Sequence, residues 1–461
     1  MENENIATLE LLLETLKARI ESRQFTALRQ LLEPLQPADV AQLLEEIEEK
    51  DLPLVYRLLP KETAAETFTY MEPEQQHQLI LSFSDAELRE TLDQLYLDDA
   101  VDLIEEMPAN VVARILKNTD AATRRSINDI LHYPKDSAGS LMTIEYVYLR
   151  PNMTVTQAFE QIRRVGVDKE TIYTCYVTEN RRLLGVVTVK DLLISPPDRL
   201  IEDIMETNVV YIHTLDDKEF VAQQFSKYDL LAIPVVDQEK RIVGIVTVDD
   251  AMDVLQEENT EDIEMMAAIT PTDKPYIRTG VWETWKKRIP WLLLLMISAT
   301  FTGTIITGFE EKLAASVALT AFIPMLMDTG GNCGSQASVT IIRGLSLGEL
   351  EMRDILRILW KELRVSLLCG ITLATANFLR IWLIDGLLLH NAGVTVAVAL
   401  TVSITMLFTV IIAKLVGCSL PILAKRIGFD PAVMASPFIT TIVDALSLLV
   451  YFGIATVILK L

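Results

Sequence analysis

The chain has 461 residues, half of them hydrophobic, and a formal net charge of −23. From residue 286 onward it holds ~10 acidic and ~14 basic residues, so the first 285 residues carry a balance of roughly −27 and the remainder roughly +4. An acidic, water-soluble portion is joined to an apolar one. This excludes nucleic-acid binding for want of a basic footprint, and a disordered acidic tail, because the acidic portion is full of periodic Leu, Ile and Val.

The four cysteines, Cys175, Cys333, Cys369 and Cys418, are widely separated and form no CxxC pair. A disulfide framework is not expected, and the soluble part is placed in a reducing cytosol. The opening MENEN carries no basic region and no early apolar core, so no cleaved signal peptide is expected.

Residues 1–131 read as an all-helical domain. Ile6–Ile20 has leucines at helical spacing with charges between them. Short units then recur with Pro or Ser at a first turn followed by acids, at Gln36-Pro37, Leu59-Pro60, Glu72-Pro73, Ser84-Asp85 and Met107-Pro108. Proline costs no hydrogen bond at that position, and carboxylates suit the positive end of the helix dipole. Their repetition predicts a superhelical stack of short helices.

From about residue 138 the pattern changes and repeats itself. Leu184-Gly185-Val186-Val187-Thr188-Val189-Lys190-Asp191 recurs as Val243-Gly244-Ile245-Val246-Thr247-Val248-Asp249-Asp250. Leu141-Met142-Thr143 is echoed by Ile204-Met205-Glu206, and Tyr176-Val177 by Val235-Val236. Each unit has β-branched strand runs, a helix before the second strand, and a Gly that permits close approach. The tandem, at 138–200 and 201–256, resembles a pair of CBS domains. Such pairs sense adenine nucleotides or metal ions, and the alternative is an α+β packing module with an empty cleft.

A polar stretch, 257–285, reads as a connecting helix and linker. Apolar runs of ~20 residues or more follow, near 289–309, 314–342, 357–384, 394–423 and 432–459, each long enough to cross a bilayer. Basic residues cluster in alternate short loops: Lys286, Lys287 and Arg288; Arg343, Arg353 and Arg357; Lys425 and Arg426. The positive-inside rule then puts the N-terminal domains in the cytoplasm of a multi-pass cell-membrane protein and, with five spans, the C-terminus outside.

Asp444 falls mid-way along the fifth run. An unpaired carboxylate there costs several kcal/mol if charged, so such residues face a cavity and serve ions or protons; the competing reading is a protonated carboxyl bonded between helices. No Lys or Arg of the other spans looks placed to neutralise it. The second run holds Pro324, Gly331, Asn332, Gly334 and Gln336, whose glycines allow helices to approach and whose amides suit a solvated path.

Together these features resemble the MgtE family of magnesium channels: a helical N domain, paired CBS domains, a connecting helix and five spans. The stretches Pro324–Gln336 and Phe429–Asp444 are similar to its membrane signatures, and the likeness covers essentially the whole chain. The resemblance implies a homodimer whose pore lies between the second and fifth spans. Two copies of Asp444 would grip a hydrated Mg²⁺, with oxygens near Ser436 and Thr440 receiving its waters, as suits an ion that dehydrates reluctantly. It also implies a cytosolic magnesium sensor. Expected ligands are Glu66, Asp98 and Asp102 in the N domain, with Asp250 and Asp253 closing the second CBS unit. Glu258, Glu261 and Asp262 would lie on the connecting helix, with Asp430 at the cytoplasmic start of the fifth span. Glu219 and Asp229 would form a site between two subunits. Bound ions would draw the domains together and close the pore. ATP at the first CBS cleft would meet Tyr173, Thr188, Lys190 and Asp191.

Two further readings stay open. One is uptake of Co²⁺, Mn²⁺ or Ni²⁺, against which stands the lack of a membrane His or Cys cluster. The other is a membrane-anchored nucleotide sensor with no pore. No HExxH, P-loop or GxSxG pattern supports an enzyme.

Overall fold

The computed structural model describes all residues except 1, 273–275, 278, 389–392, 435 and 461; for 2–10, 312, 315, 386, 387 and 436 the backbone alone is described. The chain divides into two units, Met1–Val254 and Leu255–Leu461.

In the first unit ten helices precede any strand among the described residues. They are α1 (Glu2–Glu21), α2 (Phe25–Leu32), α3 (Pro37–Glu45), α4 (Leu52–Tyr56), α5 (Lys61–Thr69), α6 (Pro73–Ser82), α7 (Asp85–Leu92), α8 (Leu97–Glu106), α9 (Ala109–Asn118) and α10 (Ala121–Ile130). Every Pro and Ser start signal marks an observed helix start. Pro37 and Pro73 occupy the first turns of α3 and α6, and Pro60 and Pro108 cap α5 and α9. At α7 the Ser84 hydroxyl accepts from Glu87 N (3.2 Å) while the Glu87 carboxylate accepts from Ser84 N (2.7 Å). That reciprocal box satisfies two amides the helix cannot reach. Apolar faces of these helices, from Leu28 and Leu43 to Phe68, Leu79 and Ile115, close a continuous core.

The repeat that follows contains two small sheets of matching topology. Short α11 (Ala138–Leu141) leads to β1 (Tyr146–Leu149), α12 (Val155–Val165), β2 (Thr171–Glu179), β3 (Arg182–Thr188) and α13 (Val189–Ile194). The second copy has β4 (Ile212–His213), α14 (Lys218–Tyr228), β5 (Ala232–Val236), β6 (Ile242–Thr247) and α15 (Val248–Met266). In each sheet the first strand lies parallel to the second, and the second antiparallel to the third.

The two glycines of the repeat do one job reciprocally. A Cβ on Gly185 would sit 2.8 Å from Glu206 O, and one on Gly244 2.7 Å from Thr143 O. Each lets the lead-in segment of one copy bond to the third strand of the other, at Val186–Glu206 and Thr143–Ile245. The last helix of the second CBS copy runs unbroken from Val248 to Met266, through the expected boundary between that copy and the connecting segment.

The second unit is helical: α16 (Val281–Gly308), α17 (Glu310–Ala315), α18 (Ile323–Ser346), α19 (Ile355–Arg380), α20 (Val396–Arg426) and α21 (Ser436–Leu459), with a π-helical turn over Ile381–Leu388 after α19. Among the described residues four helical stretches are long and apolar enough to cross a membrane: Val281–Gly308, Met352–Asp385, Val396–Arg426 and Pro431–Leu459. The second expected span is different. It begins at Ile323, with Pro324 in its first turn, not at 314, because a short helix and a 3₁₀ segment precede it. Its 24 residues reach about 36 Å, but Asp328, Asn332, Gln336 and Arg343 leave it too polar to stand with the other four. α18 packs against both α20 and α21. It buries Leu326, Gly330, Gly334, Ala337 and Ile341 and leaves Pro324, Asp328, Asn332, Gln336 and Thr340 exposed at four-residue intervals.

Candidate cation sites

In the first unit, α5 and α8 meet Glu170, just before β2, and the first turns of α15, just after β6, around a cavity of ≈ 490 Å³. Its carboxylates are Glu66, Asp98, Asp99, Glu170, Asp249, Asp250 and Asp253. An adjoining cavity of ≈ 290 Å³ brings Asp102 and Glu106 to Asp99, Asp250 and Asp253. Glu66, Asp98, Asp102, Asp250 and Asp253, separated by up to 187 positions in sequence, are thus collected at one place. The α8 geometry explains part of this, since residues four apart share a helix face.

Asp98 is nine-tenths buried, and burial first, then the Asp99 charge, pushes its carboxyl up to about 7. Burial and then Asp98 raise Asp250 to about 7, against the hydrogen bond from Thr247 Oγ1 (2.6 Å). Burial and then Asp98, Asp249 and Asp250 raise Glu170 to about 8. Burial followed by Asp250 and Asp249 raises Asp99 to about 6. Asp102 is pushed in the same direction by desolvation and by Asp250, but its side chain is more open to water, which weakens that push. The strongest charge effects on all five come from other carboxylates.

Asp99, Glu145, Glu170 and Asp249 are not among the expected ligands. Asp99 and Asp249 each adjoin an expected ligand, but Glu145 and Glu170 arrive from separate loops and leave no local signal. Among the described residues no three His, Cys, Asp or Glu side chains are gathered closely enough to hold one metal ion directly. The donor set is all oxygen and anionic, which suits a hard cation met through its water shell.

Two other expected sensor groups stand apart. On α14, Glu219 lies in the first turn, its carboxylate accepting from Gln223 Nε2 (3.2 Å), and Asp229 caps the far end with φ +52°. About 15 Å of helix separates them, so within one chain they cannot share an ion. In the second unit Asp262 accepts from Ser346 Oγ (2.9 Å). Burial raises its carboxyl, Ser346 opposes that, and Asp430 adds to it. The Oδ1 of Asp430 accepts from Ala432 N (2.7 Å). Glu258 and Glu261 lie on the same helix and are engaged.

At the first CBS cleft, Thr188 and Asp191 bond to each other and cap α13 (Oγ1 to Oδ2, 2.5 Å). Tyr173 and Lys190 are exposed nearby, leaving an aromatic face and a cation available to a ligand.

In the membrane unit, glycines bring three helices together. A Cβ on Gly334 would meet Ile439 Cγ2 at 2.7 Å, one on Gly331 Thr440 Cγ2 at 2.9 Å, and one on Gly330 Val443 and Thr409 at 2.9 Å. Asp444 is half-buried on α21, one turn beyond Thr440, whose hydroxyl donates to Pro437 O (2.9 Å). Asn332 and Gln336 are exposed on α18. The Ser436 side chain lies outside the described residues.

Two features here escaped the sequence reading. Asp328 of α18 lies two residues before Gly330, which packs on Val443 next to Asp444. Lys414, buried mid-way along α20, does not neutralise Asp444; its Nζ lies 3.9 Å from Glu362 Oε2 of α19.

A membrane helical unit with an intramembrane carboxylate, tied to an acidic nucleotide-sensor-like module, defines a transport protein for cations. Family models agree over most of the chain: a divalent cation transporter domain at 323–454, the MgtE intracellular N domain at 35–136, and CBS domains at 138–196 and 201–257. Curated relatives include the magnesium transporters MgtE of Thermus thermophilus, 37% identical over 97% of this chain and 98% of that one, and of Bacillus subtilis, 33% identical over 91% and 93%. A crystal structure of the cytosolic domain of the Mg²⁺ channel MgtE in complex with ATP is 38% identical, with a TM-score of 0.50 over 52% of this chain and 99% of that one. The chain belongs to the MgtE family of magnesium transporters, and it is a membrane transporter, not an enzyme.

Proposed function

We propose that the chain is a Mg²⁺-selective channel that admits the ion down its electrochemical gradient and is closed by Mg²⁺ bound to its acidic cytosolic domains. The observation that carries the pore reading is Asp444, a carboxylate within an apolar helix, held where glycines of α18 let α21 approach. α18 is the second of five spans in this reading, tolerated in the bilayer because its polar face lines the path. Two subunits would bring two Asp444 carboxylates to one hydrated ion, with Ser436 and Thr440 near its waters and Pro324, Gly331, Asn332, Gly334 and Gln336 forming the wall. Five spans with cytosolic N-terminal domains leave the C-terminus outside.

The sensor reading rests on the carboxylates around Asp98, Asp102 and Asp250, whose mutual field a divalent cation would relieve. Glu66 and Asp253 line the same cavities. Glu258, Glu261, Asp262 and Asp430 would add a second group of ligands. Glu219 and Asp229, at opposite ends of α14, would serve between subunits. Ions bound more tightly by the closed state shift the population toward it, which makes high internal Mg²⁺ shut its own entry. ATP is proposed at the first CBS cleft, with Tyr173 stacking on the base, Thr188 and Asp191 meeting the ribose and Lys190 the phosphates, supported by likeness to the ATP-bound cytosolic domain.

The test is Mg²⁺ flux into proteoliposomes with wild type and Asp444→Ala. Flux is expected to fall to the protein-free rate in the variant. Normal conduction by Asp444→Ala ends the pore reading, and preference for Co²⁺, Mn²⁺ or Ni²⁺ over Mg²⁺ favours the broader transporter.

A further inference from the structure

Along α18 and α21 the successive contacts are Gly334 with Ile439, Gly331 with Thr440, and Gly330 with Val443 and Ser447. The helices therefore run antiparallel in a register that brings Asp328, two residues from Gly330, level with Asp444, one residue from Val443. Both carboxylates lie on the side where Gly331 faces Thr440, since Asp328 precedes Gly331 by three residues and Asp444 follows Thr440 by four. Asp328 is exposed and makes no ion pair or hydrogen bond with any described residue.

A second, independent feature marks the same level. The hydroxyls of Thr409 on α20 and Ser447 on α21 are both completely enclosed, at 0% and 1% exposure, and neither has a hydrogen-bond partner. Both residues converge on Gly330, where an added Cβ would lie 2.9 Å from Thr409 Cγ2 and 3.1 Å from Ser447 Oγ. Buried hydroxyls without partners are costly in hydrocarbon, so polar groups are concentrated at the depth of Asp328 and Asp444 on the packed side of the helices as well as on the open one.

We infer that Asp328 is a second cation-contacting carboxylate of the conduction path, so that each chain presents two acids, Asp328 and Asp444, to a hydrated divalent ion. The inference rests on the pore reading above. Its consequence is selectivity by charge. A pair of carboxylates at one depth binds a divalent ion far better than a monovalent one, because each added anion acts on twice the charge. Their separation on two helices leaves room for the water shell that Mg²⁺ retains. The polar stripe that continues from Asp328 through Asn332 and Gln336 to Thr340 supplies the wall beyond that point.

The experiment measures Mg²⁺ uptake by proteoliposomes of the full chain against Mg²⁺ concentration, for wild type, Asp328→Asn, Asp328→Glu and Asp444→Ala. Asp328→Asn is expected to raise the half-saturating Mg²⁺ concentration about tenfold, with maximal flux kept within about threefold, and to raise the K⁺ leak relative to Mg²⁺. Asp328→Glu, which restores the charge, is expected to recover most of the affinity. An unchanged half-saturating concentration and ion preference in Asp328→Asn overturns the inference and leaves the pore reading intact. Conduction by Asp444→Ala overturns the pore reading instead. Should Asp328→Asn aggregate, Asp328→Ser is read by the same assay against the same threshold.

Discussion

Gly417 shows how little room the membrane unit leaves. A Cβ there would lie 2.2 Å from Gly334 O, an atom of a helix backbone and not the far end of a flexible side chain. Alanine at 417 must therefore push α18 and α20 apart, at about 1–3 kcal/mol for overpacking of this kind. Gly303 on α16 has nothing within 4 Å of its added Cβ, and alanine there gains helix propensity. Gly417→Ala is expected to lower the thermal midpoint of the detergent-purified protein by roughly 4–8 °C, and Gly303→Ala to leave it or raise it. Equal midpoints for Gly417→Ala and wild type would mean that the helices are not in this contact. The residue scale also marks what the sequence could disclose. Asp444 stood out because an acid in an apolar run is expensive. Asp328 did not, because it lies among Thr, Asn and Gln that already looked polar. The Glu362–Lys414 pair went unnoticed because one partner sits near a helix start and their proximity is purely tertiary.

At the scale of elements, local chemistry read well and convergence read poorly. Proline and serine start signals located α3, α5, α6, α7 and α9 because a cap is decided within four residues. The twin glycines located both CBS copies for the same reason. The start of α18 was misjudged by nine residues, since hydropathy does not register a turn before Pro324. The acidic cleft lay furthest from reach: α8 disclosed Asp98 and Asp102, while Glu145 and Glu170 join them only through folding. That cleft carries a pH signature. Asp98, Asp250 and Glu170 have folded-state values raised to about 7, 7 and 8, above the ordinary carboxylate range of an unfolded chain. Their closeness is tolerated fully below about pH 4 and becomes progressively destabilising as pH rises through 7 to 8. In chelator, protease cleavage between α8 and β6 is expected to quicken several-fold from pH 6 to pH 8.5. Millimolar Mg²⁺ is expected to flatten that rise, and Asp98→Asn with Asp250→Asn to flatten it without Mg²⁺. A rise that Mg²⁺ leaves untouched would remove the cation from the account of this cleft.

For the whole molecule, the division of charge is the organising fact. The acids that make the net charge −23 lie in the water-soluble part, where many are held together against their own repulsion. The part of the chain that crosses the membrane is slightly basic and keeps acids at only a few depths. In the function proposed above a cation is recognised twice, by a dense field of carboxylates in the cytosol and by a sparse set along the path. The two tasks need different affinities: a conduction site must release its ion, whereas a sensor must hold several at once. If the sensor holds the pore shut, removing its N-terminal half should release it. A chain beginning at residue 132 keeps the CBS pair and the membrane unit but loses Glu66, Asp98, Asp99 and Asp102. In patches or proteoliposomes, it is expected to conduct at internal Mg²⁺ concentrations that silence the full-length protein, with unit conductance and ion preference unchanged. The alternative outcome is equally readable: closure of the shortened chain at the same Mg²⁺ concentration as full length would assign the gate to Asp262, Asp430 and their neighbours, and the N-domain acids to another task.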